Sequence, residues 1–509
     1  MGIKRYYASK DNTLTNAFKS DLLTRGTGSN MGASDILEAF VIHGQTSGAI
    51  NATNAEQSRI LISFPVVDMV SDITAGTIPS SSVEYRLIMT NAPHGDTTPL
   101  GYELEVTMIS GADWQEGTGL DMEEYKDLGV SNWLSSSDGT WWLGTPRVAQ
   151  TEPNPGGAYF TGTLTPAISG NFYFSGGLEN LDLDVTFAVD QWRRLAAGAE
   201  NYGLLIKHPN DIISGSSGSF FTKRFFGRTS DYFFNRPYIE ARWDSSRKDQ
   251  RESFFISSSL AQAQDNLNRI FMYNNIRGQL KTIPNTTGSG QHILVSIYSG
   301  SSEGTPSGSK LHVIDSEGNT VLNVTGGLLV AGGTNITGVY SCSFATTSTH
   351  TTLHDVWHSS SVEFFTGTIS PQNITASGYF PEEEFITDVT NLQSEYRKGR
   401  KPIFRVHVRK KNWMPNVYTV VNSDVETEII EDGYWRLYRK VDGLDIIPYG
   451  TGTYKHTKMS FDASGNYFEL DTTILEPGYV YGMKFLYYLQ GKYKQQPEEF
   501  KFRITEEAP

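Results

Sequence analysis

Hydrophobic residues recur along the chain in three patterns, and two of them predict strands. Short apolar runs closed by turn formers are the first. Ser58-Arg59-Ile60-Leu61-Ile62-Ser63-Phe64-Pro65 predicts a buried strand that ends at Pro65, because proline has no N–H to extend the ladder. Strict alternation is the second. Residues 83–89 and 102–108 place polar and apolar side chains on opposite faces, as half-exposed antiparallel strands do. A helical period stands out once, in Asp190-Gln191-Trp192-Arg193-Arg194-Leu195-Ala196-Ala197. It predicts one short amphipathic helix between a strand over 183–189 and another over 201–207.

Taken in order, the pattern divides the chain into three regions. Strands over 5–8, 36–42 and 58–64 open the first, and a Trp-rich, acidic loop region follows residue 108. A strand over 236–243 closes it. The second region carries strands over 269–273, 278–283, 293–298, 311–314, 339–344 and 362–366, with a hairpin turn at Asp315-Ser316-Glu317-Gly318-Asn319. Several short strands at this spacing are the immunoglobulin-like pattern. The third follows a polar stretch over 391–401, with strands over 403–408, 435–439, 457–461, 467–470, 479–485 and 500–504. Gly465 suits the turn at Asp462-Ala463-Ser464-Gly465-Asn466. The expected fold is all-β: an N-terminal jelly-roll β-sandwich over 1–250, then two smaller immunoglobulin-like β-sandwich domains over 251–380 and 381–509.

Composition narrows the partners. At 509 residues the chain exceeds one core. A net charge of -14 repels a phosphate backbone, so no nucleic-acid partner is expected. The basic runs Arg397-Lys398-Gly399-Arg400-Lys401 and Arg409-Lys410-Lys411 read as solvated segments. Cys342 is the single cysteine, so no intrachain disulfide forms. The opening Met1-Gly2-Ile3-Lys4-Arg5-Tyr6 lacks an apolar signal core, and no apolar run approaches the ~20 residues of a membrane span. Synthesis in the cytoplasm and no membrane span are the expectations.

Candidate chemistry is sparse. His350, His354 and His358 are four apart, and on a helix they would share a face as a metal set. The Thr- and Ser-rich surroundings predict strand or loop instead, where that spacing gathers no ligand set. Asp121, Glu123, Glu124 and Asp127 offer oxygen ligands but lack the calcium-loop pattern. Asp182 and Asp184 read as edge-strand charges. No phosphate loop, His-Glu-x-x-His or dinucleotide fingerprint occurs. The expectation is no catalytic residue, no metal and no cofactor. Trp114, Trp133, Trp141 and Trp142 cluster between strands. Exposed, they would stack on sugar rings as a glycan site. Folded back, they would be interior aromatics, the commoner fate of large rings.

Several motifs occur in a recognisable order: Asn30-Met31-Gly32-Ala33-Ser34, Arg59-Ile60-Leu61-Ile62-Ser63-Phe64, Trp114-Gln115-Glu116-Gly117, Asn132-Trp133, Asn201-Tyr202-Gly203-Leu204-Leu205-Ile206 and Arg236-Pro237-Tyr238-Ile239-Glu240. With them, residues 3–243 resemble the disaggregatase-related (DNRLRM-type) jelly roll, similar to carbohydrate-binding modules. Secreted members carry a signal peptide that is not seen here, and the stretch from Trp133 to Phe174 is long for the pattern. Sugar binding is therefore not carried over to any residue. The remainder, with 268–278, Tyr340-Ser341-Cys342-Ser343-Phe344, Asp355-Val356-Trp357 and 460–468, resembles structural proteins of large tailed bacteriophages. That resemblance implies a non-enzymatic virion protein, assembled in host cytoplasm as a homo-oligomer in the neck, collar or tail, with other virion proteins as partners. The alternative is an adhesin module recognising host-surface glycan.

Overall fold

The structure is a computed structural model that describes residues 2–43, 55–95, 100–111, 113–120, 130–142, 155–160, 169–194, 200–210, 220–258, 262–284, 286, 291–302, 305–331, 334–373, 384–414, 417 and 427–506. It is all-β, with two short α-helices among the described residues. The chain forms two compact units, one of Ile3–Thr77 with Val83–Arg242, the other of Met1–Gly2, Ile78–Ser82 and Trp243–Pro509.

The N-terminal unit is a two-sheet sandwich. Its elements are β1 (Ile3–Tyr7), β2 (Lys10–Thr15), β3 (Ile36–Ile42), β4 (Glu56–Ser63), α1 (Val66–Thr74), β5 (Glu84–Met89), β6 (Tyr102–Met108), β7 (Ser135–Ser137), β8 (Thr140–Trp141), β9 (Ser169–Phe174), β10 (Leu181–Asp184), α2 (Thr186–Arg193), β11 (Leu204–Lys207), β12 (Phe220–Phe226) and β13 (Tyr238–Arg242). One sheet runs β1-β13-β5-β10. The other runs β12-β3-β4-β11-β6-β9, with β2 also on β4. Every pairing in the two sheets is antiparallel. The chain crosses between sheets after β1, β4, β5, β9, β10 and β12, the winding of a jelly roll.

All eight residues of β4 are buried, so both of its faces are covered. Pro65 does follow the strand, but the chain then turns into α1, which the hydrophobic pattern does not predict. Its Val, Ile and Thr residues favour strands, yet Val66 and Met69 at helical spacing are the buried ones. The strand expected over 183–189 ends at Asp184, and α2 begins at Thr186 rather than at residue 190. The cause is local: the Asp184 carboxylate accepts from the Thr186 N–H at 2.9 Å and turns the chain. Buried Trp192 lies on α2, which packs against α1 and β5. Leu195, expected beside it, lies outside the described residues.

The second unit holds two further sandwiches. The first runs Asn268–Tyr273, Thr334–Phe344, Val324–Ala331, Ile293–Ser302, Leu353–Ser359 and Val362–Ile369, with Thr305–Lys310 also on Ile293–Ser302. Its core gathers Ile270, Val295, Ile297, Tyr340, Phe344 and Trp357. The expected turn at residue 315 is present, with the Asp315 carboxylate accepting from the Glu317 and Asn319 N–H groups. The last sandwich pairs a four-stranded sheet, Phe385–Val389, Ile403–Lys410, Gly465–Glu469 and Ser460–Asp462, with a six-stranded one centred on Val480–Leu489. Trp435 stacks on Phe468 at 4.6 Å and Phe468 on Phe404 at 5.2 Å.

The segment joining the units' sequences is itself held at both ends. The Asp249 N–H donates to the Phe461 carbonyl and the Phe461 N–H to the Arg247 carbonyl, which lays residues 247–249 along the last sandwich. The Gln250 N–H donates to the Arg269 carbonyl, and Phe254–Ile256 pairs with Pro371–Asn373, which fixes the segment to the middle sandwich. Residues 247–256 therefore bond to both of these sandwiches.

Candidate functional site

The residues singled out in the sequence converge on the outer face of the larger N-terminal sheet. Along β4 the side chains alternate, so Arg59 and Leu61 face one way and Ile60 and Ile62 the other. Leu61, with Leu14 of β2 and Leu205 of β11, meets Ile109, Trp114, Trp133, Trp142 and Ala158 in a second apolar cluster. The Trp-rich loops fold back over the sheet. The indole N–H of Trp114 donates to the Tyr202 carbonyl at 2.8 Å, and that of Trp142 to the Asn132 carbonyl at 2.8 Å. The four tryptophans therefore do not form an exposed glycan platform. Trp114, Trp133 and Trp142 are buried, since their rings cover apolar sheet that would otherwise face water. Trp141 alone stands out, 45% exposed on the β7–β8 hairpin.

Two of the recognised motifs interlock. The Asn30 side-chain amide donates to the Glu116 and Ser131 carbonyls, and its oxygen accepts from the Gly32 and Gly119 N–H groups. Gly117 has φ +85°, and a Cβ there would stand 2.5 Å from the Asn30 side chain. Glu116 bonds the Arg228 guanidinium through both oxygens and also accepts from the Asp11 N–H. Asp11 is fully buried and accepts from the Arg228 N–H. Burial pushes its carboxyl up to about 7. Gly203, φ +94°, lies against the Ile62 carbonyl, and Asn201 donates to the Phe64 carbonyl at 2.9 Å. Glu240 is held between Arg5, 2.7 Å, and Arg242, 2.6 Å. Asn30 and Asn201 bond backbone with their side chains, whereas Glu240 is held in side-chain ion pairs.

Beside the tryptophans lies a cluster that the sequence reading did not assemble. Lys207 is fully buried, and its Nζ donates to the Glu105 carboxylate at 2.6 Å. Arg59 donates from Nη1 to the Gly156 carbonyl at 2.7 Å. The guanidinium lies 5.0 Å from the Trp133 ring and 5.5 Å from that of Tyr159, which Lys207 also approaches at 5.2 Å. Only sheet register brings these residues together, because Arg59 and Lys207 are far apart in the chain.

The other candidates fall differently. His354 and His358 lie on the strand Leu353–Ser359, and His350 precedes it. His358 is buried against the Ser296 hydroxyl, with its ring nitrogen 2.7 Å away, and burial lowers its pKa. Among the described residues no group of three His, Cys, Asp or Glu side chains gathers as a metal set. The acidic cluster at 121, 123, 124 and 127 lies outside the described residues. Asp182 pairs with Arg86 across β10 and β5. Cys342 is buried in the middle core, where burial raises its thiol well above the ordinary range. Near it, Arg251 donates to Asp249, and to Asp355 at 2.7 Å, while the Trp357 indole also donates to Asp355 at 2.7 Å. Burial lifts the Asp249 carboxyl to about 6.

No family model and no curated protein matches this chain. Solved structures that match include a chimeric titin Z1Z2-Z1Z2 tandem at 14% identity and TM-score 0.14, covering 48% of this chain and 91% of that one. The N-terminal Ig1-2 module of the Drosophila receptor protein tyrosine phosphatase DLAR matches at 7% identity and TM-score 0.13, covering 48% and 91%. Chicken CNTN1 FN1-FN3 domains match at 9% identity and TM-score 0.15, covering 57% and 82%. At such scores the likeness carries no argument, and the sandwich architecture rests on the strand pairing itself. Among the described residues no helix is long and apolar enough to cross a membrane.

Proposed function

We propose that the chain is a non-enzymatic structural protein of a tailed bacteriophage particle, present in repeated copies in the neck, collar or tail beside other virion proteins. The observation that carries this reading is the pinned segment between the second and third sandwiches. A segment bonded to both, at Phe461 on one side and Arg269 on the other, suits a part that transmits load or keeps spacing. The engagement of Asn30 and Glu116 with backbone, and of Glu240 in buried ion pairs, supports the same reading. Serial sandwiches suit repeated packing around a symmetry axis. Gold-labelled antibody against the protein should decorate intact particles at one axial level. Labelling confined to particle-free material would sink the proposal.

The alternative, a glycan-binding adhesin, keeps only Trp141 at the surface among its four tryptophans. On a glycan array it requires binding that Trp141→Ala abolishes. No binding, or equal binding by the variant, rejects it.

A further inference from the structure

The outer face of the larger N-terminal sheet buries one more cation than it balances. Ile206 pairs with Ile60 across β11 and β4, so one step further along Lys207 and Arg59 come opposite each other. Like charges on facing positions of a sheet repel. Both are buried, Lys207 at 0% exposure and Arg59 at 8%. Lys207 is balanced: Glu105 lies directly across from it on β6, 2.6 Å away, and the Asn210 side-chain oxygen adds a contact at 3.2 Å. Arg59 is not. Its acceptors are neutral, the Gly156 carbonyl at 2.7 Å and the Gln57 amide oxygen at 3.4 Å. Among the described residues its Nε has no acceptor and no carboxylate pairs with it.

Other buried cations of this chain are satisfied. Arg5 has Glu240 at 2.7 Å, and Arg251 has Asp249 and Asp355. Lys223 donates to Asn91, to the Gly177 carbonyl and to the Glu179 carbonyl. A buried guanidinium with an idle donor is costly, and the cost falls when an anion supplies the missing acceptor. Burial lowers the Arg59 pKa, and the opposing pull of Tyr159 and of the Glu105 carboxylate, which Lys207 already engages, does not make up for it. The guanidinium is closely lined. Gly156 has φ +87°, and a Cβ there would stand 2.6 Å from Nη1 of Arg59, so only glycine lets the backbone come this close. Trp133 and Tyr159 wall the guanidinium on its faces. About a quarter of the Glu105 side chain is in water, at 24%, which places the cluster at the margin of the covered face.

We propose that Arg59, with Lys207 behind it, is a binding site for the carboxylate of a small organic anion. The planar fork of the guanidinium matches a carboxylate, and Nε is the donor left for it. An acidic sugar and a simple carboxylic acid share this chemistry.

Titration calorimetry on the full chain, at fixed ionic strength, separates the sources. Acetate, glucuronate, glucose and sulfate are the probes. Saturable binding of acetate or glucuronate, without binding of glucose, supports the proposal. Equal affinity for the two means that the carboxylate alone is read, and at least tenfold tighter glucuronate means an acidic sugar. Arg59→Gln should weaken binding at least tenfold, while Arg405→Gln, at a surface pair with Asp462, should leave it unchanged. If Arg59→Gln does not fold, Arg59→Lys carries the test, because it keeps the charge and loses the fork. No binding by either carboxylate, sulfate bound as tightly as acetate, or an Arg59 variant that binds like wild type would overturn the assignment.

Discussion

Asp11 shows how a single buried group sets a pH response. Its carboxyl sits at about 7 in the folded protein against a model-peptide value of 3.8. The folded state therefore holds the proton more tightly than the unfolded chain. The resulting stability is complete below about pH 4 and is lost as pH rises through 7. Thermal unfolding of the N-terminal unit should accordingly weaken between pH 5 and 7.5, by an amount on the order of 2–4 kcal/mol, and Asp11→Asn should flatten the profile. A profile unchanged by the substitution would contradict this account. The tryptophans make a second prediction at this scale. Trp133→Ala or Trp142→Ala should cost about 3–5 kcal/mol in urea unfolding, and Trp141→Ala less than about 1 kcal/mol. Similar losses at all three positions would mean that the exposed ring is not exposed in solution. The sequence names these residues but not their fates. Burial of three of them depends on a loop covering the second face of a sheet, a tertiary event with no periodic signature.

At the scale of elements, alternation was a dependable guide where one face is dry and the other wet. The expected bounds over 102–108 coincide with Tyr102–Met108, and the expected strands of the last sandwich recur except that the one over 457–461 is confined to Ser460–Asp462. The signal failed where a local hydrogen bond outvoted it. Leu183, Val185, Phe187 and Val189 alternate as in a strand, but the Asp184 turn redirects the chain after two of them. The cluster of Arg59 and Lys207 was invisible for another reason. Opposition across strands depends on sheet order and register, which the linear pattern does not carry. Two variants probe the contacts between elements. Gly117→Ala forces a side chain into Asn30 at φ +85° and should cost more than about 1 kcal/mol in the N-terminal unit. Asp355→Ala leaves Arg251 short of a buried partner and should destabilise the second unit by about 3–5 kcal/mol. Denaturation curves that do not move would show these contacts to be incidental.

For the molecule as a whole, the fold class and the succession of sandwiches could be read from the chain, because each module writes its own strand pattern. The contacts of residues 247–256 could not, since they read as connecting chain and are in fact bonded to both later sandwiches. Native-state proteolysis should spare this segment until the second unit unfolds, and early cleavage there would refute the pinned connection. The functional account stands on that rigidity, and its most direct test is quantitative mass spectrometry of purified particles against the particle-free lysate. The account predicts that the chain sediments with particles at a fixed, multiple copy number relative to the major capsid protein. Recovery only from the particle-free fraction would contradict it.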